Sequence, residues 1–286
     1  MKRFLKNVKK YFKYAVYQAK AELKAEITNS YLNWIWWFLD PICNMLIYTF
    51  IVEIVFRTSE PYFPVFVFIG ITTYDLFSRI INGSVKIVKN NIGLINKVYV
   101  PKYIFLLSKS FVFLFKFLIA FIIILGLMVM FQVPFTWQIL NFPLIVITIY
   151  TVACGIGTIL LHFGVFVEDL SNVTAILLKF VYYFSGIFYA IPKRIPKPYS
   201  SLLLIANPAA FCIHQFRKIF IDGIFPNYLG LLLWFIAGMI LLSIGITLIH
   251  KYEDNYAKVA WCKKLTKNHY LHWQLLARLF RFSMIW

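Results

Sequence analysis

The sequence predicts an all-α integral membrane protein: six transmembrane helices, an N-terminal amphipathic interface helix, and short re-entrant helices between spans five and six. Three observations predict it. The 286 residues are 61% hydrophobic and 14% charged, with a mean hydropathy of +0.75, outside the usual range of a soluble domain. Apolar runs of about 20 residues recur, the length that covers a ~30 Å hydrocarbon layer. Basic residues gather in alternate connecting segments, as positive-inside sorting requires.

Residues 1–30 read as an amphipathic arm. Phe4, Val8, Phe12, Ala15, Ala19 and Leu23 recur every three or four positions, with Lys6, Lys9, Lys10 and Lys13 on the other faces, the pattern of a helix lying flat in the inner interface. There is no short apolar core with a cleavage-site pattern, so the arm does not read as a signal peptide. The transmembrane domain is assigned to 31–250, with spans at 34–56, 63–81, 106–131, 142–163, 173–191 and 229–249. Between the last two, Pro192, Pro196, Pro198 and Pro208 interrupt a stretch of about 35 residues. Its apolar pieces are too short to cross, and helices dipping into one leaflet fit where protein or water covers the backbone. Residues 251–286 form a basic tail with a second amphipathic stripe.

With the N-terminus inside, 20 of the 29 Lys and Arg residues fall on the inner side. Both termini are therefore expected in the cytoplasm, and the protein in the cytoplasmic membrane. The formal charge of +18 sits at the ends and in one loop, not among base-stacking aromatics. Anionic lipid headgroups are the expected partner, and no nucleic acid.

No catalytic constellation emerges. The four cysteines are scattered without a C-x-x-C pair, and of five histidines only His269 and His272 share a helical i, i+3 spacing; neither set supports a metal site. Glu168 and Asp169 are adjacent, so they do not face each other as an acid–base pair; Asp169 reads as a helix cap. No G-x-x-x-x-G-K-[ST] phosphate loop occurs. What remains is charge that a bilayer disfavours by a few kcal/mol per group (about 2.5 or more at a helix centre). Asp40 and Asp75 belong to the first two spans and Lys116 to the third, where it either lines a pathway or pairs with Asp75. Glu53 and Arg57 read as an interfacial ion pair, and Lys109 and Lys179 as residues that snorkel inward.

Six segments in order then carry a resemblance. SYLNWIWWFLDPICNMLIYTFI, with its small residue, Leu, Trp and Asp-Pro, resembles the entry to the first span of ABC-2 type permeases, in particular those that export lipid-linked polysaccharide such as O-antigen or teichoic acid. GITTYDLFSRIINGSVKIVKNNIGLINKVYVPKYIFLLS is similar to the second span, cytoplasmic loop and third-span entry, with Asn91, Leu94, Ile95, Lys97 and Pro101 in the motif positions. VFVEDLSNV resembles the turn after the fourth span, with Glu168 in place of the usual arginine. YYFSGIFYAI carries Gly186 where a proline is common. IANPAAFCIHQFRKIFIDG matches the asparagine–proline and arginine pattern at Asn207, Pro208 and Arg217, an external re-entrant region, and HKYEDNYAKVA follows the post-membrane segment with Lys258 where an aspartate is common.

The resemblance covers residues 20–260 and implies a homodimer of permease chains working with two copies of a separate ABC ATPase. That ATPase binds ATP and magnesium; this chain holds no cofactor and is a transport subunit, not an enzyme. Residues 84–97 resemble the coupling helix that seats in the ATPase, which assigns ATPase coupling to Ser84, Lys86, Asn91, Leu94, Ile95, Lys97, Pro101 and Asp169. The cargo implied is an undecaprenyl-diphosphate-linked glycan.

Trp34, Trp36 and Trp37 suit an inner boundary, yet they stand about 200° and 100° apart around a helix, so not all three face lipid. Aromatic rings stack on apolar sugar faces, and the expected pathway set is Trp34, Trp36, Trp37, Asp40, Tyr48, Tyr74, Asp75, Lys116, Tyr182, Tyr183 and Tyr189; the alternative is an aromatic belt. Pro41 removes an amide bond to the carbonyl of Trp37, a local break where polar cargo would enter. Lys193, Arg194, Lys197, Arg217 and Lys218 form an external basic set for lipid diphosphate or headgroups. A drug or small-lipid ABC-2 exporter is the alternative with the same fold. An integral membrane enzyme acting on polyprenyl lipids needs clustered acids or histidines that are not found, and a scaffold leaves the intramembrane charges unexplained.

Overall fold

The computed structural model describes residues 2–28, 33–55, 60–95, 100–167 and 169–252. Arg57, Lys97 and Glu168, the tail from 253 and its histidine pair lie outside the described residues. Among these residues twelve α-helices follow in chain order: α1 (Lys2–Thr28), α2 (Asn33–Thr49), α3 (Phe63–Val85), α4 (Ile87–Asn90), α5 (Ile92–Ile95), α6 (Lys102–Met130), α7 (Phe142–Phe166), α8 (Leu170–Phe184), α9 (Ile191–Arg194), α10 (Tyr199–Ala206), α11 (Pro208–Arg217) and α12 (Tyr228–Tyr252). No strand occurs among the described residues.

Five of these are long and apolar enough to cross a membrane: α2 with its π-helical extension Phe50–Val55, then α3, α6, α7 and α12. The expected fifth span, 173–191, is not continuous. It is realised as α8, 15 residues or about 22 Å of rise, short of a 30 Å core. The reason is local. Gly186 takes a left-handed φ of +66°, a conformation open to glycine at little cost, and the chain turns away through residues 185–190 instead of adding helical residues.

The core is built around α3. Of its apolar stretch 72% is buried, against 6% for α2. Phe68 and Ile69 are fully enclosed, and α3 packs on α6, α7 and α11. A Cβ on Gly164 of α7 would lie 2.2 Å from the carbonyl oxygen of Val85, so only glycine lets α7 press against the end of α3. The α7–α12 contact is a small-residue crossing as well: a Cβ on Gly155 would meet the Gly238 carbonyl at 2.7 Å, the close backbone approach that membrane helices use when no hydrophobic effect drives them together. The outer face of α12 (Leu229, Leu232, Leu233, Ile236, Ile240) is exposed.

The amphipathic arm forms as one helix, α1, and its small residues explain its seat. Ala15 and Ala19 are buried, and the Ala15 carbonyl accepts from Ser108 Oγ of α6 at 3.0 Å. Asn7 donates to the Tyr103 hydroxyl at 3.0 Å, Glu22 pairs with Lys109, and Glu26 with Lys116 at 2.7 Å. Contact thus advances about 28 Å along α1 while it advances about 20 Å along α6. The two helices run the same way, inclined to each other.

Candidate translocation pathway

The N-terminal half of α2 and the facing side of α3 enclose a polar cavity of about 360 Å³. Trp36, Trp37, Asp40, Pro41 and Asn44 of α2 line it, with Thr72, Asp75 and Arg79 of α3 and Phe113, Lys116 and Phe117 of α6. Helical spacing explains the grouping. Residues 36, 37, 40 and 44 lie on one face of α2, and 72, 75 and 79 on one face of α3. Pro41 sits inside α2 without ending it. Its missing N–H frees the Trp37 carbonyl, while Asn44 Nδ2 donates to the Asp40 carbonyl at 2.8 Å and to the Asp40 carboxylate at 3.2 Å. The helical irregularity comes later, at the π-helical Phe50–Val55.

The charges are paired in advance. Arg79 Nε donates to both carboxylate oxygens of Asp75 at 2.7 and 2.6 Å, and its Nη2 lies 3.7 Å from the Asp40 carboxylate. That second pair ties α2 to α3. Lys116 Nζ is held by Glu26 and stands 5.5 Å over the Trp37 ring, and Trp37 meets Phe115 edge-on at 6.1 Å. Of the two readings of Lys116, the pair with Asp75 does not form: Glu26 of α1 takes the ammonium and Arg79 takes Asp75. Lys109 likewise has an acid, Glu22, in place of a snorkelling role.

A second group of rings continues along α2, α3 and α8. Tyr74 stands 5.0 Å from Tyr182 and donates its hydroxyl to the Leu178 carbonyl. Tyr182 meets Tyr183 at 5.4 Å and Phe188 at 5.6 Å, and Phe188 packs on Tyr48 at 4.6 Å. A cavity of about 290 Å³ lies at the Tyr74–Tyr182 end and shares Arg79 with the polar cavity. One of about 400 Å³ lies at the other end, lined by Phe63, Phe188, Tyr189 and Arg194. Of the eleven expected pathway residues, ten fall on this seam: Trp36, Trp37, Asp40, Asp75 and Lys116 at the polar cavity, Tyr48, Tyr74, Tyr182, Tyr183 and Tyr189 beyond it. Trp34 does not; it is exposed and packs on Phe38. Arg79, Glu26 and Phe188 were missed. The signals were present: Arg79 stands four residues after Asp75, and Glu22 and Glu26 are acids four apart in an otherwise basic arm.

The region after α8 is organised by Asn207 and Arg217. Asn207 caps α11, its Oδ1 accepting from the amides of Ala209 at 3.0 Å and Ala210 at 3.3 Å, with Pro208 in the first helical turn, where its lack of an N–H costs nothing. Its Nδ2 donates to Ser185 Oγ at 3.0 Å. Arg217 does not belong to a surface basic set. It is 6% exposed and donates to the carbonyls of Phe66 (3.3 and 3.2 Å), Gly186 (2.7 Å) and Ile187 (2.8 Å). Its guanidinium lies 3.4 Å over the Phe66 ring. Lys193 pairs with Glu60 at 2.6 Å.

In the loop after α3, Ile87 and Val88 are buried while Lys86 and Leu94 are exposed, Leu94 by 46%. Ile95 is half-buried, and Asn91 Nδ2 donates to the Ile87 carbonyl at 2.8 Å. Ser84 is fully buried and Pro101 is buried before α6, so these two lie beneath any docking surface. Asp169 precedes α8, but its side chain accepts no capping bond.

No protein-family profile matches the chain. Curated relatives do. It is 24% identical over 258 residues to the O-antigen export system permease protein RfbA of Myxococcus xanthus, covering 90% of this chain and 99% of that one. It is 26% identical over 239 residues to the O-antigen export system permease protein RfbA of Klebsiella pneumoniae, covering 83% and 91%. It is 27% identical over 242 residues to the polysialic acid transport protein KpsM of Escherichia coli, covering 82% and 91%.

Proposed function

We infer that this chain, a homologue of the ABC-2 type permeases of polysaccharide export, is the membrane subunit of an exporter that moves a lipid-linked polysaccharide from the cytoplasmic to the outer face. The observation that carries this reading is coverage: two kinds of polysaccharide exporter align over at least 82% of this chain and 91% of their own lengths. The cargo is an undecaprenyl-diphosphate-linked glycan of the O-antigen or teichoic acid type. A separate ATPase supplies the energy with its own ATP and magnesium, docking on the segment that carries Lys86, Asn91, Leu94 and Ile95. Both termini lie in the cytoplasm. The fifth of six crossings is α8 completed by the short helices to α11, which enter the outer leaflet and return.

The seam along α2, α3 and α8 supports a glycan path. A sugar presents hydroxyls along its edges and C–H groups on its faces; Asp40, Asn44, Asp75 and Arg79 offer acceptors and donors, and Trp36, Trp37, Tyr74 and Tyr182 offer rings. Two copies meeting along the exposed edges of α2 and α8 would enclose the seam. Exposed Phe180, Tyr183 and Phe184 on α8 and Trp36 on α2 supply the apolar area for that contact. Deleting the gene in its own host should remove the polymer from the surface while lipid-linked polymer accumulates inside, with recovery on re-expression. Undiminished surface polymer would refute the reading.

A further inference from the structure

Among the described residues, the ion pairs of the long helices leave the Lys179 ammonium without an acid. Lys116 has Glu26, Lys109 has Glu22, and Arg79 has Asp75 and Asp40. Lys179 of α8 has no carboxylate partner among the described residues, although it stands nine residues, about 14 Å of rise, beyond the start of α8 at Leu170. A charge on an apolar helix beside the bilayer calls for a partner or a water-filled path. Lys179 lines the 290 Å³ cavity between α8 and α3, and the polar groups of α3 converge on the same space.

The facing surfaces are two stripes at helical spacing. Tyr74, Ser78 and Asn82 follow one another at i, i+4 and i+8 on α3, and Lys179 and Tyr182 stand at i, i+3 on α8. The Asn82 amide is exposed and makes no hydrogen bond among the described residues. The Tyr74–Leu178 hydrogen bond fixes the two helices beside the cavity. Arg79 enters from the side, its charge already engaged by Asp75. Tyr74 and Ser78 already donate to the Leu178 and Asp75 carbonyls, so the Asn82 amide and the Lys179 ammonium are the uncommitted donors that line the cavity. The chemistry that fits it is an anionic oxygen group, not a neutral sugar.

We propose that the α3–α8 cavity, with Lys179 as its charge and Asn82 as its amide donor, binds a phosphate of the transported molecule as it passes between the leaflets. This deepens the export reading and rests on it. A phosphate presents several acceptor oxygens and two negative charges when carried as a diphosphate, and charge-assisted hydrogen bonds to it are about twice as strong as neutral ones. The two sources of such a phosphate are the lipid diphosphate end of the cargo and a bilayer phospholipid headgroup; the proposal commits to the cargo.

The test uses the full-length permease in phosphatidylcholine nanodiscs, with farnesyl diphosphate as the probe and farnesol as its uncharged twin. Wild-type protein should retain the diphosphate in preference to the alcohol. Lys179→Gln should weaken diphosphate binding about tenfold, the loss of one hydrogen bond to a charged group, with farnesol unchanged; Lys179→Arg should preserve it. Asn82→Asp, which opposes an acid to the ligand without touching the lysine, should weaken it as well. Both side chains are exposed, so an unchanged elution profile accompanies each loss. Equal binding by Lys179→Gln and wild type overturns the proposal, as does displacement by phosphatidylglycerol as effective as by unlabelled diphosphate, which gives the site to bilayer lipid. A strain that exports polymer normally while its permease shows no diphosphate preference sinks this proposal and leaves the export reading standing. Diphosphate retention with no loss of surface polymer on gene deletion does the reverse.

Discussion

Replacing Arg217 by leucine tests whether this arginine builds the fold or meets cargo. Four N–H groups of its guanidinium reach three carbonyls. The Phe66 oxygen lies inside α3 and keeps its helical amide. The Gly186 and Ile187 oxygens sit in the turn after α8, and leaving each unsatisfied in a buried place costs about 1–3 kcal/mol. The desolvated contact with the Phe66 ring adds about 2 kcal/mol. Leucine recovers part of this by burying apolar surface, so the net loss is roughly 3–6 kcal/mol, a large share of a typical 5–15. At about 2–4 °C per kcal/mol, the melting midpoint of the purified protein in detergent, followed by monodispersity after heating, should fall by roughly 6–24 °C. Arg217→Lys keeps the charge but not the fork, and should fall by about half as much. Gly70→Ala should behave as a milder Arg217→Leu, because the added Cβ would lie 2.9 Å from Arg217 Nη2. An Arg217→Leu protein with a wild-type midpoint and abolished export would refute the structural role and place the guanidinium on the cargo.

The remaining predictions concern the polar cavity and the loop after α3. Glu26→Ala and Lys116→Ala should each slow export, and the double variant should be no worse than the poorer single, because either change breaks the same pair; additive losses in a transport assay would separate the two residues. Trp36→Ala and Trp37→Ala should lower the rate of polymer appearance at the surface more than they lower protein level, and Trp34→Ala, outside the cavity, should lower it less; an equal fall for all three would indicate a boundary role. Leu94→Asp should abolish co-purification of the ATPase while the permease remains monodisperse. An intact complex would remove this loop from the docking surface.

Periodicity carried the long helices and the amphipathic arm, because apolar runs and helical stripes are local properties of sequence. It failed at α8 for a local reason too: residues 173–191 read as one apolar run, but Gly186 in the left-handed region and the side-chain bonds of Ser185 and Asn207 turn the chain. The site was legible as a list of residues out of place, and not as a set of partners. Asp40, Asp75 and Lys116 stand out because hydrocarbon disfavours them; which acid meets which base depends on how α1 lies against α6, and no local pattern encodes that inclination. Arg217 shows the opposite limit. Its distance from any apolar span made it read as a surface cation, while the three carbonyls that bury it come from α3 and from the turn after α8.

The pairing of charges bears on the class of cargo. The cavity at Trp36 and Trp37 brings in two acids, Asp40 and Asp75, and two bases, Arg79 and Lys116, and Lys116 is held in turn by Glu26 of α1. An apolar drug entering it would have to cover paired ions and strip their remaining water, a cost of several kcal/mol per ion in a low-dielectric setting. A hydroxylated chain does not impose that cost. Each hydroxyl both donates and accepts, so it replaces the water on Asp40 or Arg79 without separating the pairs, while the adjacent rings take the apolar face of the sugar. The two acids and two bases offset one another, so no strong net field holds a polymer in place. That combination suits a polymer that must be passed along unit after unit, and it argues against the drug or small-lipid exporter on the same scaffold.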